Sequence, residues 1–358
     1  MKPAPDLADA EYILPLKWAD DAGLAELADY LTRLSRWLPV TVIDGSDPDR
    51  FAAHARAFPP AVRHLPPDPL GVLNGKVAGV LTGLRQATAP CVVIADDDVR
   101  YTRAALEQVV AGLGRADVVR PQNHFIGTPA WHVRWDTARS LINRALGSDY
   151  PGTVAVRRAV LEGTGGYDGN VLFENLELLR TVRAAGGTEL RADDLFVPRL
   201  PCSSRHFRGQ RVRQAYDSFA QPARLMTELS LLPLILSGLR RPRRLAALAA
   251  AAVAVAETGR RRAGGTAVYP PTAALWAPAW TAERAVCIWA ALYWRLRGGV
   301  PYAGRRLRRA GHSVRALRRR LADAAAAAAP TPTPDPQPKE TDDRPQTAHA
   351  RQLSRIPA

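Results

Sequence analysis

Three short apolar runs alternate with helix-like stretches over residues 1–120, and this alternation constrains the fold more than any other feature. EYILPL (11–16), PVTVIDG (39–45) and CVVIA (91–95) each end at or beside Pro, Gly or Asp, as short buried strands do. Between them, residues 22–37 carry Leu24, Leu27, Leu31 and Leu34 at helical spacing, and residues 74–85 form a second helical stretch. A third helix is expected over 102–113, with Thr102 as its N-cap. This order predicts an α/β fold, a mainly parallel sheet flanked by helices. Ligands of such sheets sit at the carboxyl ends of the strands, where Asp44 and Asp96 to Asp98 stand.

The run IADDDVR poses an electrostatic problem. Three adjacent carboxylates repel one another and are costly to desolvate, so they need either open water or a bound cation. Alternate residues of an extended segment point the same way, so Asp96 and Asp98 are expected to face one site while Asp97 turns aside. Two converging carboxylates make a hard oxygen site suited to Mg²⁺ or Mn²⁺. Taken alone, the tripeptide is equally a solvated acidic turn after a strand.

Charge divides the chain in two. Residues 199–320 hold 24 arginines, no lysine and four acids, a local balance of +20 within a total of +15, so the remainder is acidic at −5. Such asymmetry points to an anionic neighbour for the second half. The stretches LMTELSLLPLILSGL (225–239) and LAALAAAAVAVAETG (245–259) are apolar but shorter than the roughly 20 residues that span a bilayer. They read as helices lying at a membrane interface, or as buried helices of an α-helical subdomain. A nucleic-acid partner is disfavoured, because Leu/Ala runs rather than aromatic platforms separate the Arg clusters. The three scattered cysteines and the N-terminus, which lacks a basic segment followed by an apolar run, suggest a reduced compartment and no secretory signal. Beyond Leu321 the Ala/Pro-rich run is expected to be disordered.

VTVIDGSD (40–47), NGKVAGVLTGL (74–84) and VVIADDDV (92–99), in this order and spacing, resemble the nucleotide-binding half of the family 2 glycosyltransferases, which have a Rossmann-like GT-A fold. The resemblance implies that Asp44 contacts a nucleoside, that Lys76 opens a helix beside it, and that Asp96 and Asp98 hold a metal and the diphosphate of a sugar nucleotide, a UDP- or GDP-sugar. GTVAVRRAVLEGTGGYDGNVLFENLELL (152–179) looks like the acceptor-side segment, where the family places Glu-Asp and uses the Asp as general base. This chain has Glu174-Asn175, and an amide cannot take a proton. Glu174 is therefore the first candidate base and Glu177, one helical turn on, the second. RGQRVRQAY (208–216) is similar to the QxxRW segment through Gln210 and Arg213, with Gln214 where the aromatic of processive members stands. Arg213 would support the leaving diphosphate. Residues 295–307, RLRGGVPYAGRRL, are similar to the juxtamembrane close of members such as ceramide glucosyltransferases. Within residues 120–144, Trp131 and Trp135 could stack on an acceptor or belong to the core.

The resemblance implies a metal-dependent, inverting glycosyltransferase: a catalytic domain over 1–220, a basic apolar helical region over 221–321 that associates with a membrane, and a tail over 322–358. An anionic membrane surface and a lipid, lipid-linked or glycan acceptor are the expected partners, at the cytoplasmic face of the cell membrane. The alternative implied by Asn175 is a catalytically impaired, membrane-bound partner or scaffold that binds nucleotide sugar without transferring it.

Overall fold

A computed structural model of the chain describes residues 4–127 and 130–328. Its first half runs β1 (Ala10–Leu16), α1 (Leu24–Leu34), β2 (Val40–Asp44), α2 (Pro48–Ala57), β3 (Val62–Leu65), α3 (Gly75–Gln86), β4 (Cys91–Ala95), α4 (Arg103–Ala111) and β5 (Val118–Phe125). There follow α5 (Trp131–Ala145), β6 (Thr153–Arg157), α6 (Arg158–Gly163), α7 (Glu174–Ala184), β7 (Glu189–Arg199) and α8 (Ser204–Tyr216). The chain then continues through α9 (Pro222–Gly238), α10 (Pro242–Arg261), α11 (Ala277–Leu296), the hairpin β8 (Val300–Tyr302) and β9 (Arg305–Leu307), and α12 (Val314–Ala328).

Seven strands form one mixed sheet in the order β3-β2-β1-β4-β6-β5-β7. The β1 to β4 half is parallel, β6 is antiparallel to both its neighbours, and β5 pairs parallel with β7. Strands covered on both faces read as continuous apolar runs. Accordingly every residue of β1, β2 and β4 is buried. Successive side chains go to opposite faces: Tyr12 and Leu14 join Leu27 and Leu31 of α1 and Leu106 and Val109 of α4. Ile13, Val92 and Ile94 instead meet Val77 and Val80 of α3 and Leu178 and Leu179 of α7. Thr102 caps α4 as expected, accepting from the Ala105 backbone, and Asn74 caps α3 by accepting from that of Lys76.

The C-terminal helices pack onto this layer rather than apart from it. Ile288 and Ala291 of α11 share a core with Leu172, Leu176 and Tyr216. Ala256 of α10 shares another with Ala138 and Leu141 of α5. Among the described residues no helix is long and apolar enough to cross a membrane. In α9 the usual pattern is inverted: Glu228 and Gly238 are its buried residues, while Met226, Leu234 and Leu236 are exposed. Residues 300–307 form a hairpin whose turn, with Ala303 at φ 45° and Gly304 at φ 78°, reaches the cleft at the strand ends. One expectation needs correction. Residues 322–328, expected to be disordered, continue α12, as suits a run of alanines, the strongest helix former. The remainder of the expected tail lies outside the described residues.

Candidate functional site

The carboxyl ends of β1 and β4 open into a cleft of about 650 Å³. Asp96, Asp97 and Asp98 follow β4 directly, and the loop is pinned on two sides. Asp96 N donates to Gly152 O at 2.8 Å, while Leu200 N donates to Asp98 O at 2.8 Å and Arg100 N to Pro198 O at 2.9 Å. Gly152 lets the loop sit close, because a Cβ there would meet Asp96 Oδ2 at 2.5 Å and turn that carboxylate aside.

Two cations hold the aspartates. Lys76, in the first turn of α3, contacts Asp96 Oδ1 at 2.5 Å and donates to Glu174 Oε1 at 2.8 Å and Asn175 Oδ1 at 3.3 Å. Burial would lower the Lys76 pKa, but the charges of Asp96 and Glu174 outweigh it and raise it. Arg199, at the end of β7, donates from Nε to Asp98 Oδ2 at 2.7 Å. Burial nevertheless lifts the Asp98 carboxyl to about 6, helped by Asp96 and Asp97 and opposed by Arg199. Its Oδ1 is buried without a hydrogen-bond partner. An orphaned carboxylate oxygen beside a second carboxylate fits a hard divalent cation, which would supply the missing partner and relieve the repulsion. Asp97 takes a hydrogen bond from Trp18 Nε1, so its carboxylate is occupied by the protein, although the residue also lines the cleft.

Glu174, Gln210 and Arg213 all line the same cleft. Gln210 touches His206, and the Arg213 guanidinium lies 5.7 Å from the ring centre of Tyr302. Tyr302 in turn donates to Asn74 Oδ1 at 3.2 Å, which ties the C-terminal hairpin to the cap of α3. Asn175 serves the structure as well. It receives Lys76 at Oδ1, and its Nδ2 donates to Pro151 O at 2.9 Å.

Two candidate site residues are placed elsewhere, and the two tryptophans take the packing role of their two readings. Glu177, the second candidate base, is fully buried and faces away, with Oε1 2.6 Å from His312 Nδ1 and Oε2 accepting from the His312 backbone at 2.8 Å. A carboxylate sealed in that pair cannot reach an acceptor. Asp44 ends β2 as expected, yet its carboxylate is enclosed and does not line the cleft. His54 Nδ1 lies 2.6 Å from Oδ2 and His64 Nε2 3.0 Å, and Ser46 N donates to Oδ1 at 2.9 Å. Burial opposes ionisation there, but the bonds from His64, Ser46 and His54 prevail and hold the carboxyl well below the usual range. Trp131 and Trp135 pack with Phe207 and Trp276, and Trp135 Nε1 donates to Glu283 at 2.7 Å. Helix α5 reaches the cleft through Arg139 and Asn143 instead.

Two groups of His and carboxylate side chains among the described residues bring their ligand atoms within 4.8 Å of one another, Asp44/His54/His64 and Asp168/Glu177/His312. Neither includes Asp96 or Asp98.

Several cleft residues escape sequence reading. Arg199, Asp217, Arg224, Arg284 and Tyr302 all line it. Nothing local marks Arg199, because its role depends on β7 ending beside the loop after β4. Asp217 and Arg284 are likewise unmarked, since only the packing of the helices brings them to the cleft.

A sequence profile described as "Glycosyl transferase family 2" matches residues 27–162. That span contains Asp44, Lys76 and Asp96 to Asp98 and ends before Glu174 and Arg213. No curated protein matches the chain. Among solved structures it is similar to the mannosyltransferase PcManGT from Pyrobaculum calidifontis in complex with GDP-Man and Mn²⁺, at 20% identity over 80% of this chain and 90% of that one, with a TM-score of 0.47. Similarity extends to mannosyl-3-phosphoglycerate synthase from Rubrobacter xylanophilus, at 12% identity over 57% and 70% of the two chains and a TM-score of 0.38. Glucosyl-3-phosphoglycerate synthase from Mycobacterium tuberculosis, in complex with Mn²⁺, UDP and phosphoglyceric acid, is 18% identical over 55% and 72%, also with a TM-score of 0.38.

Proposed function

We propose that the chain is a family 2 glycosyltransferase of the GT-A type that moves a sugar from a nucleotide diphosphate to an acceptor hydroxyl in one inverting displacement. The observation that carries this is the linked set Asp96, Lys76 and Glu174 in one cleft, beside Asp98, Gln210 and Arg213. The profile match over the nucleotide-binding segment supports it.

In this reading Asp98, supported by Asp96, holds Mg²⁺ or Mn²⁺, which when bound neutralises charge on the donor diphosphate. Lys76 fixes Glu174, and Glu174 takes the proton from the acceptor hydroxyl. The acceptor oxygen forms the new bond to the anomeric carbon as the bond from that carbon to the diphosphate oxygen breaks. Arg213 meets the negative charge that builds on the leaving diphosphate. The acceptor is a lipid, lipid-linked or glycan hydroxyl, and the protein sits at the anionic cytoplasmic face of the cell membrane, a placement supported by the outward-facing leucines of α9 and the arginines that flank them.

A thermal-shift and calorimetric screen of UDP, GDP and their sugars with Mn²⁺ tests this reading. At least one nucleotide is expected to bind in a Mn²⁺-dependent way, and Asp98→Ala is expected to weaken it by about tenfold or more, the effect of losing a metal ligand. If no nucleotide binds and Asp98→Ala changes nothing, the reading fails.

One observation favours a second reading, a partner or scaffold that binds nucleotide sugar without transferring it. Asn175 occupies the family's base position and is fully engaged in holding Lys76 and Pro151. Donor hydrolysis or transfer that is present in the wild type and lost in Glu174→Gln would exclude it.

A further inference from the structure

One buried arginine of the cleft lacks a hydrogen-bonded partner for its charge. Arg284 of α11 is 1% exposed, yet it lines the cleft, and its Nε and Nη1 have no hydrogen-bond partner. The nearest carboxylate oxygen, Glu228 Oε2, is 3.8 Å from Nη1, beyond hydrogen-bond reach. Glu228 is already engaged, accepting from Arg224 Nε at 2.8 Å and from Ser218 Oγ at 2.6 Å. Burial, together with the charge of Arg224, pulls the Arg284 pKa down despite Glu228.

Beside these cations stands Asp217, in the turn after α8, with Oδ1 buried and unpartnered. Its carboxyl is pushed up to about 8 by burial and then by the charge of Glu174, against Arg284, Arg224 and Arg139. At neutral pH it is therefore an uncharged hydrogen-bond donor. Glu228, shared with Arg224 and Ser218, leaves Arg284 Nε and Nη1 without a hydrogen-bonded counter-charge. Buried charges in proteins are ordinarily paired, so a partner is missing. A guanidinium with two open donors matches the oxygens of a phosphate.

The cations of this seat are not those that hold the aspartate loop. Asp96 and Asp98 are matched by Lys76 and Arg199, whereas Asp217 lies within the influence of Glu174. We propose that Arg284 and Arg224, with Asp217 as a donor, form a seat for a phosphate carried by the acceptor. The acceptor role rests on the transferase reading, and the seat itself does not. A soluble phosphomonoester and a lipid phosphate present the same chemistry to it.

Calorimetric titration of the full chain with inorganic phosphate tests the seat, alone and with UDP or GDP plus Mn²⁺ present. Arg284→Gln is expected to weaken phosphate binding by about tenfold or more, as loss of a charge-assisted bidentate contact does, and Arg224→Gln by several-fold. Nucleotide and Mn²⁺ binding is expected to change by less than about twofold in both variants, which leave the aspartate loop intact. Circular dichroism and melting establish folding. If the buried Arg284→Gln does not fold, Arg224→Gln, whose side chain is 19% exposed, carries the test. Absence of phosphate binding in the wild type, or unchanged affinity in folded variants, overturns the seat. Phosphate binding that depends on Arg284 without any nucleotide binding retains the seat and removes the transferase reading; the reverse pattern removes the seat alone. Glycerol phosphate and phosphatidic acid vesicles are then offered as competitors. Competition by either supports an acceptor role and identifies the carrier, and competition by neither overturns that role.

Discussion

Asn175 uses both ends of its amide, receiving Lys76 at Oδ1 and donating to Pro151 O from Nδ2. A carboxylate could keep the first contact but not the second. Asn175→Asp is therefore expected to cost about 1–2 kcal/mol, the penalty of an unmade bond to a carbonyl, read as a lower urea midpoint, and not to raise turnover. Asp217 gives a pH-dependent outcome. Its folded pKa of about 8 lies far above the ordinary value of 3.8. As pH rises from about 4 to about 8 the unfolded chain releases this proton and the folded chain keeps it, so the contribution to stability falls across that window. Asp217→Asn removes the dependence. Melting temperatures of variant and wild type should diverge with rising pH, with the variant gaining on the order of 1–3 kcal/mol by about pH 8. At this scale the sequence discloses Asp96, Asp98, Lys76 and Glu174, because short segments with characteristic neighbours carry them. Arg199, Asp217 and Arg284 stay hidden because each becomes a cleft residue only through contacts distant in sequence.

Elements are legible where one period dominates. β1, β2, β4, α1, α3 and α4 follow from apolar runs and helical spacing. β3 is four residues with a single fully buried side chain, and β7, ELRADDLFVPR, mixes charges with apolar residues, so neither announces itself. The order of strands beyond β4 is set by tertiary packing, and no local pattern foretells that β6 runs antiparallel between β4 and β5. One helix crossing has a sharp requirement. Gly259 of α10 lies so close to α5 that a Cβ would meet Leu141 O at 1.8 Å, and its own carbonyl receives Arg144 Nε at 3.2 Å. Backbone cannot yield as a side-chain tip can. Gly259→Ala is expected to force the two helices apart and destabilise by about 2–4 kcal/mol, measured by chemical denaturation, although alanine is the better intrinsic helix former.

For the molecule as a whole, the outward leucines of α9 and the arginines around them predict attachment to a charged lipid surface. Vesicles containing phosphatidylglycerol should co-sediment with the protein, neutral phosphatidylcholine vesicles much less, and the difference should shrink as salt screens the arginines. Leu236→Glu with Leu239→Glu, both more than half exposed, should reduce binding without lowering the melting temperature. The residues that complete the cleft lie far downstream of the strands whose ends they cover. Tyr302 anchors to Asn74, Arg284 lines the cavity wall, and His312 closes on Glu177 in the helix that begins at Glu174. A nascent chain can pair its parallel strands well before those residues leave the ribosome. Competence for ligand therefore arrives late in synthesis, and a chain halted before the hairpin would present a folded sheet with an unfinished cleft.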